Sequence, residues 1–134
     1  MIDVRVQAGD FEPGAQLKRL EELGAGRVLS FTAAALAADD VEALLIDHYP
    51  ALARSELGRI AAEAEARWPL AGLILIHRHG RIAPGARLAF AAVASPDDEA
   101  AFAACAFLAE ALSRRAPFWR KELLIGGGER WRQP

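Results

Sequence analysis

Pro50 and Pro69 bracket a stretch in which Ala53, Leu57, Ile60, Ala61, Ala64 and Trp68 recur at helical spacing. Proline removes a backbone donor, so it is tolerated in a helix's first turn and ends a helix elsewhere. The pair therefore fixes where this helix starts and stops. Its apolar stripe needs a surface to cover, and the flanking segments offer one. Val41–Tyr49 before it and Leu73–His79 after it both read as strands. A helix joining two strands packs on a sheet, which excludes an all-helical bundle.

The remaining elements follow the same logic. Ile2 to Gln7 alternates as a short strand. Pro13 to Leu23 sets Leu17, Leu20 and Leu23 on one helical side and is punctuated by Gly24 and Gly26. Arg27 to Ala35 reads as a strand, and 37–40 as a polar break. Arg87 to Ala94 pairs with Leu73–His79 across a loop, 80–86, containing Pro84-Gly85. Pro96 to Ser113 forms a second long helix, apolar enough to be largely enclosed. The tail after Pro117 supplies a strand and turn. These elements predict a single α+β domain over residues 1–134, a mostly antiparallel sheet with two principal helices against it. Arg59, Glu63 and Arg67, four apart, fall on the outer face of the first long helix.

Charge narrows the function classes. The net charge of −2 excludes a general phosphate-neutralising nucleic-acid binder. Yet Arg114, Arg115, Arg120 and Lys121 fall within eight residues and flank the wedge Pro117-Phe118-Trp119. Two cations at a helix end suit the helix dipole. They do not explain two large aromatics followed by two more cations, so this segment is the candidate site for a small anion. The start, Met1-Ile2-Asp3-Val4-Arg5, lacks a signal-peptide pattern, and no apolar run is long enough for a bilayer. A cytoplasmic protein is expected, with no membrane partner.

Other constellations favour plainer readings. His77 and His79 share a strand face, but a metal site needs further ligands, and only His48 and Cys105 remain as nitrogen or sulfur candidates. Hydrogen-bonded strand residues are preferred, and no metal or other cofactor is expected. Cys105, the single cysteine, lies among Phe102, Ala103, Ala104, Ala106, Phe107 and Leu108, a setting for a buried thiol rather than a nucleophile. Gly126-Gly127-Gly128 lacks the following helix and Lys-Ser or Lys-Thr of a phosphate loop and reads as a turn. Ser95 as a cap, Pro96 in the first turn, and Asp97, Asp98 and Glu99 complement a helix N-terminus.

Several landmarks run in order through the chain: Ser30-Phe31-Thr32, His48-Tyr49-Pro50, Arg67-Trp68-Pro69-Leu70, His77-Arg78 with Gly80, Pro84-Gly85, Ser95, Ala101-Phe102, Arg115-Ala116-Pro117-Phe118-Trp119, Glu122 and Arg130-Trp131. Together they resemble the large, catalytic subunit of molybdopterin synthase. The resemblance implies an α/β hammerhead fold and a homodimer within a heterotetramer. It also implies a ubiquitin-like small subunit that inserts a C-terminal Gly-Gly thiocarboxylate. The pair would transfer two sulfurs to cyclic pyranopterin monophosphate, a pterin phosphate substrate, in molybdenum cofactor biosynthesis. A sulfur-transfer enzyme of this kind needs no cysteine of its own, because the sulfur arrives on its partner.

Departures fall on the positions where that family carries its chemistry. Family members follow Phe-Thr with Gly and reach an Arg three residues later; here the run is Phe31-Thr32-Ala33-Ala34-Ala35-Leu36, and the loop is shortened. A His-Arg pair after the helix-heading Ser is replaced by Asp97-Asp98. The family's two lysines correspond to Ser113 and Arg120, with Arg114 and Lys121 adjacent. Arg keeps the charge but does not exchange protons. The expectation is a sulfurtransferase subunit in which Lys121 and Arg120 act catalytically and Arg115 and Arg114 bind substrate. The alternative is a non-catalytic paralogue serving as scaffold or regulatory partner of the synthase. A weaker third reading is a binding module for another small anion.

Overall fold

The computed structural model describes residues 1–132 and contains eight strands and three helices. In chain order these are β1 (Ile2–Gln7), α1 (Pro13–Glu21), β2 (Arg27–Ala34), β3 (Val41–His48), α2 (Pro50–Arg67), β4 (Gly72–Arg78), β5 (Gly80–Ile82), β6 (Arg87–Ser95), α3 (Asp98–Arg114), β7 (Phe118–Leu124) and β8 (Glu129–Arg132). They form two four-stranded sheets, ordered β1-β4-β6-β2 and β5-β3-β7-β8. Every pairing is antiparallel except β1 with β4. The mixed fold is as the sequence predicts, but the strands divide between two sheets. The loop after β4 contributes the short β5, and the tail contributes a hairpin rather than one strand.

The first sheet is covered on both faces, which is why β4 reads as a continuous apolar run. Leu73 and Leu75, with Ala91 and Val93 opposite them, face α2 and α3. Ile74, Ile76, Phe90 and Ala92 face α1 and the segment before it, where Leu20 and Phe11 meet them. Each fully buried Leu or Ile contributes about 1.5–3 kcal/mol. Small residues on the facing helices, among them Ala53, Ala61, Ala101 and Ala104, occupy the same core and suit close helix packing.

The helix boundaries have local causes. Pro50 stands at the start of α2 and lacks the donor that would otherwise go unpaired, while Pro69 follows the end of the helix at Trp68. At α3 the cap is Asp97, whose carboxylate accepts from Ala100 N at 3.0 Å. Ser95, the cap expected from sequence, instead donates to Pro69 O at 2.7 Å and accepts from Asp97 N, tying the helix start to the end of α2. Nor is α3 enclosed: Ala104, Cys105 and Leu108 are buried, but Phe102 is 65% exposed on the opposite side.

Glycine is called for at two places in the fold. Gly126, Gly127 and Gly128 have φ of 85°, 97° and 100° in the turn joining β7 to β8, closed by Leu124 N to Gly128 O at 3.0 Å. This is the turn inferred from sequence. Gly72 lies under the end of α1: a Cβ there would come within 2.6 Å of Leu23 Cδ1 and 2.7 Å of Leu20 Cδ2. Leu20 is fully buried, so Gly72→Ala should cost roughly 1–3 kcal/mol through overpacking. A urea melt measures this, and an unchanged midpoint would show that the leucines swing aside freely.

Candidate functional site

Strand β7 decides where the basic segment points, because successive side chains alternate across a sheet. Phe118, Arg120 and Glu122 share the inward face and sit in register with His48, Ile46 and Leu44 of β3. Trp119 and Lys121 take the outward face. Arg120 and Glu122 line a cleft of about 140 Å³ whose other walls are Ala34–Leu36, Val41, Leu44 and Leu88. The loop after β2 thus forms a wall. It is fastened by Ala35 N to Ala86 O at 2.8 Å and Gly85 N to Ala35 O at 2.7 Å.

Glu122 is only 5% exposed and is met by Arg130 of β8, whose Nε donates to Oε1 at 2.8 Å. Arg130 also reaches Asp40 at 3.2 Å. Hydrogen bonds from Arg130 first to Glu122 and then to Asp40 hold its proton more firmly than usual. The backbone of Asp40 accepts from Ile125 N at 2.9 Å, so Arg130 and Asp40 together bind the loop after β2 to the β7–β8 hairpin.

The other predicted site residues lie elsewhere. On the outward face of β7, Lys121 Nζ stands 3.3 Å from Glu129 Oε2 and 4.9 Å from the centre of the Trp131 ring. Arg115 is engaged by two carboxylates of α2. Its Nη2 donates to Glu56 Oε1 at 3.0 Å and its Nη1 to Glu63 Oε2 at 2.7 Å. Arg114 is 77% exposed, 3.7 Å from Glu110, and shares with Arg115 a separate hollow beside Phe107. Of the four cations singled out in the sequence, Arg120 alone lines the cleft. The two aromatics also separate: Phe118 is 1% exposed and is an anchor, whereas Trp119 is 54% exposed beside Tyr49 and Leu52.

Asp97, Asp98 and Ser113, where the resemblance leads one to expect other residues, have structural partners. Asp97 caps α3, and Asp98 is ion-paired with Arg27 at the start of β2. Ser113 Oγ donates back to Ala109 O at 3.0 Å. His77 is fully buried, with Nδ1 2.8 Å from Arg78 O and its ring stacked on Phe118. No group of three metal-ligating side chains occurs among the described residues, and the side chain of His48 lies outside them. Burial pushes the Cys105 thiol up. No helix among the described residues is long and apolar enough to cross a membrane.

Sequence reasoning missed Glu56, Glu63 and Asp40. Helical spacing predicts Glu63 on the outer face of α2; its carboxylate instead meets Arg115 at the C-terminal end of α3. A signal was present: Glu56 and Glu63 are seven apart, two turns on one side of the helix.

Residues 6–115 match the family described as MoaE protein. The molybdopterin synthase catalytic subunit of Mesorhizobium japonicum is 46% identical over 131 residues, spanning 94% of this chain and 81% of its own. The structure of the molybdopterin biosynthesis MoaE protein from Burkholderia ambifaria superimposes with a TM-score of 0.83 at 34% identity, covering 98% of this chain and 88% of that one. A complex of subunits 1 and 2 of the molybdopterin-converting factor from Helicobacter pylori contains the same fold, with a TM-score of 0.81 at 17% identity over 97% of this chain and 90% of that one.

The Arg115 fork makes a pH prediction. Its hydrogen bonds hold the Glu63 carboxyl below the ordinary 4.5, against a smaller opposing effect of burial. A depressed folded-state value means that the pair stabilises fully above pH 4.5 and loses its effect as the pH falls through the lower value. Glu63→Gln should therefore melt below wild type at neutral pH, with a gap that narrows steadily below pH 4.5. A gap constant into acid would show that Glu63 contributes no charge-dependent stability.

Proposed function

The chain belongs to the MoaE protein family, that of the catalytic subunits of molybdopterin synthase in molybdenum cofactor biosynthesis, and on this premise we propose that its cleft receives a pterin phosphate. The substrate in this reading is cyclic pyranopterin monophosphate. The sulfur comes from a ubiquitin-like small subunit whose C-terminal Gly-Gly thiocarboxylate enters the cleft, as part of a heterotetramer built on a homodimer. The pairing of two subunits in the Helicobacter pylori converting factor supports such a partner. The reaction belongs to the cytoplasm.

The observation that carries the reading is Arg120 on the wall of a cleft otherwise lined largely by apolar side chains. A cation in such surroundings stabilises negative charge developing on the transferred group more strongly than it would in water. Arginine does not give up its proton, so Arg120 would bind and stabilise charge while proton transfer falls to another group. Glu122, held by Arg130, keeps the second polar wall in place. Arg114 and Arg115 lie in a separate hollow, so substrate binding is assigned to Arg120 ahead of them.

One observation favours the non-catalytic alternative. Ser113, Asp97 and Asp98 stand where the family resemblance leads one to expect a lysine and a His-Arg pair, and each has an intramolecular role. In that case the chain keeps the docking surfaces and serves as scaffold or regulatory partner. Reconstitution with thiocarboxylated small subunit and cyclic pyranopterin monophosphate decides between the two. Wild type should form molybdopterin, Arg120→Ala should lower its formation by about 10²-fold, and Arg120→Lys should retain most of it. Small-subunit binding without product would establish the scaffold reading, and the loss of both would overturn the synthase assignment.

A further inference from the structure

We propose that Lys121 is a positioning residue: a brace on the reverse side of β7 that holds the hairpin carrying Arg120, Glu122 and Arg130, and not a reacting amine. The inference rests on the reading that the Arg120 cleft is the functional site. Lys121 follows Arg120 directly, so strand alternation sends its side chain to the face away from the cleft. Its side chain is only 18% exposed, unusually covered for a lysine. The ammonium is engaged from two sides, by Glu129 at 3.3 Å and by the Trp131 ring at 4.9 Å.

Both partners belong to β8. Trp131 lies directly opposite Lys121 in the ladder, and Glu129 lies diagonally, opposite Leu123. Cross-strand pairs in these positions are what stabilise a two-stranded ribbon beyond its backbone bonds. This ribbon needs them, because β8 has four residues, forms the sheet edge and is reached through three consecutive glycines. Between the two partners, and on the other face, comes Arg130, which grips Glu122 and Asp40. Lys121 and Arg130 therefore clasp β7 and β8 from opposite faces. Loosening the outer clasp moves the inner one, and with it the cleft wall.

A brace and a reacting amine give opposite patterns under substitution. Arg at position 121 keeps the charge, the carboxylate contact and the ring contact, but it does not donate its proton. Hydrogen exchange of the β7 and β8 amides and molybdopterin formation would be measured for wild type, Lys121→Arg, Lys121→Ala, Glu129→Gln and Trp131→Leu. The brace predicts that Lys121→Ala, Glu129→Gln and Trp131→Leu each speed exchange in the hairpin by about three- to tenfold and lower product formation together. Lys121→Arg should restore both, with a pH–rate profile matching wild type. Exchange unchanged in Lys121→Ala would overturn the proposal whether or not the chain turns over. So would a Lys121→Arg variant with native exchange but no product, since that outcome requires a proton-transferring amine. The reading of the cleft fails separately, if Arg120→Ala leaves product formation at the wild-type level.

Discussion

Phe118 is buried to 1%, and its ring lies nearly parallel to that of His77, 3.6 Å away and tilted by 6°. His77 belongs to the first sheet and Phe118 to the second, so this stack is a joint between the two. On one side β4 is held by apolar packing on both faces. On the other, β7 continues from Phe118 into Arg120 and Glu122. The clustering of Phe118, Ile46 and Ile82 with the α2–α3 core shows that the second sheet shares one core with the first.

Charge in the basic segment is distributed with more order than its density suggests. Arg115 takes two carboxylates from α2, Arg130 takes Glu122 and Asp40, and Lys121 takes Glu129. These pairs connect elements far apart in sequence. They act as struts between α2 and α3, between the loop and the hairpin, and between the two strands of the hairpin. Pairs of this kind contribute modestly to stability, but bidentate and networked ones fix geometry. A segment that looks like an anion trap by composition is largely a set of joints, with Arg120 on the cleft wall.

The legible parts of the chain were those with a period or a stop signal. β1 and α2 could be placed from alternation, from the apolar stripe and from Pro50 and Pro69. The division into two sheets was not legible, because β3 and β4 carry similar apolar runs and nothing local says which neighbours they will choose. The fate of the cations was hidden for the same reason. Arg120 and Lys121 are adjacent in sequence and chemically alike, and only strand parity sends one to the cleft and the other to the far face. Asp97 was visible as an acidic complement to α3, but its displacement of Ser95 as the cap depended on Pro69 O being near enough to occupy the Ser95 hydroxyl.

The cleft draws its walls from segments far apart in the chain, since Leu44 is in register with Glu122. Closing contacts across such separations carries a loop entropy that local helices do not incur. On a ribosome, all four strands of the first sheet have been made by Ser95, and α3 by Arg114. At that point Leu44 and Leu88 have been synthesised, but the side chains that face them in the finished cleft have not. Premature termination between the end of α3 and the start of β7 thus yields a chain with the first sheet and its helices but no site, so accumulation of folded protein is a poor proxy for competence in this architecture.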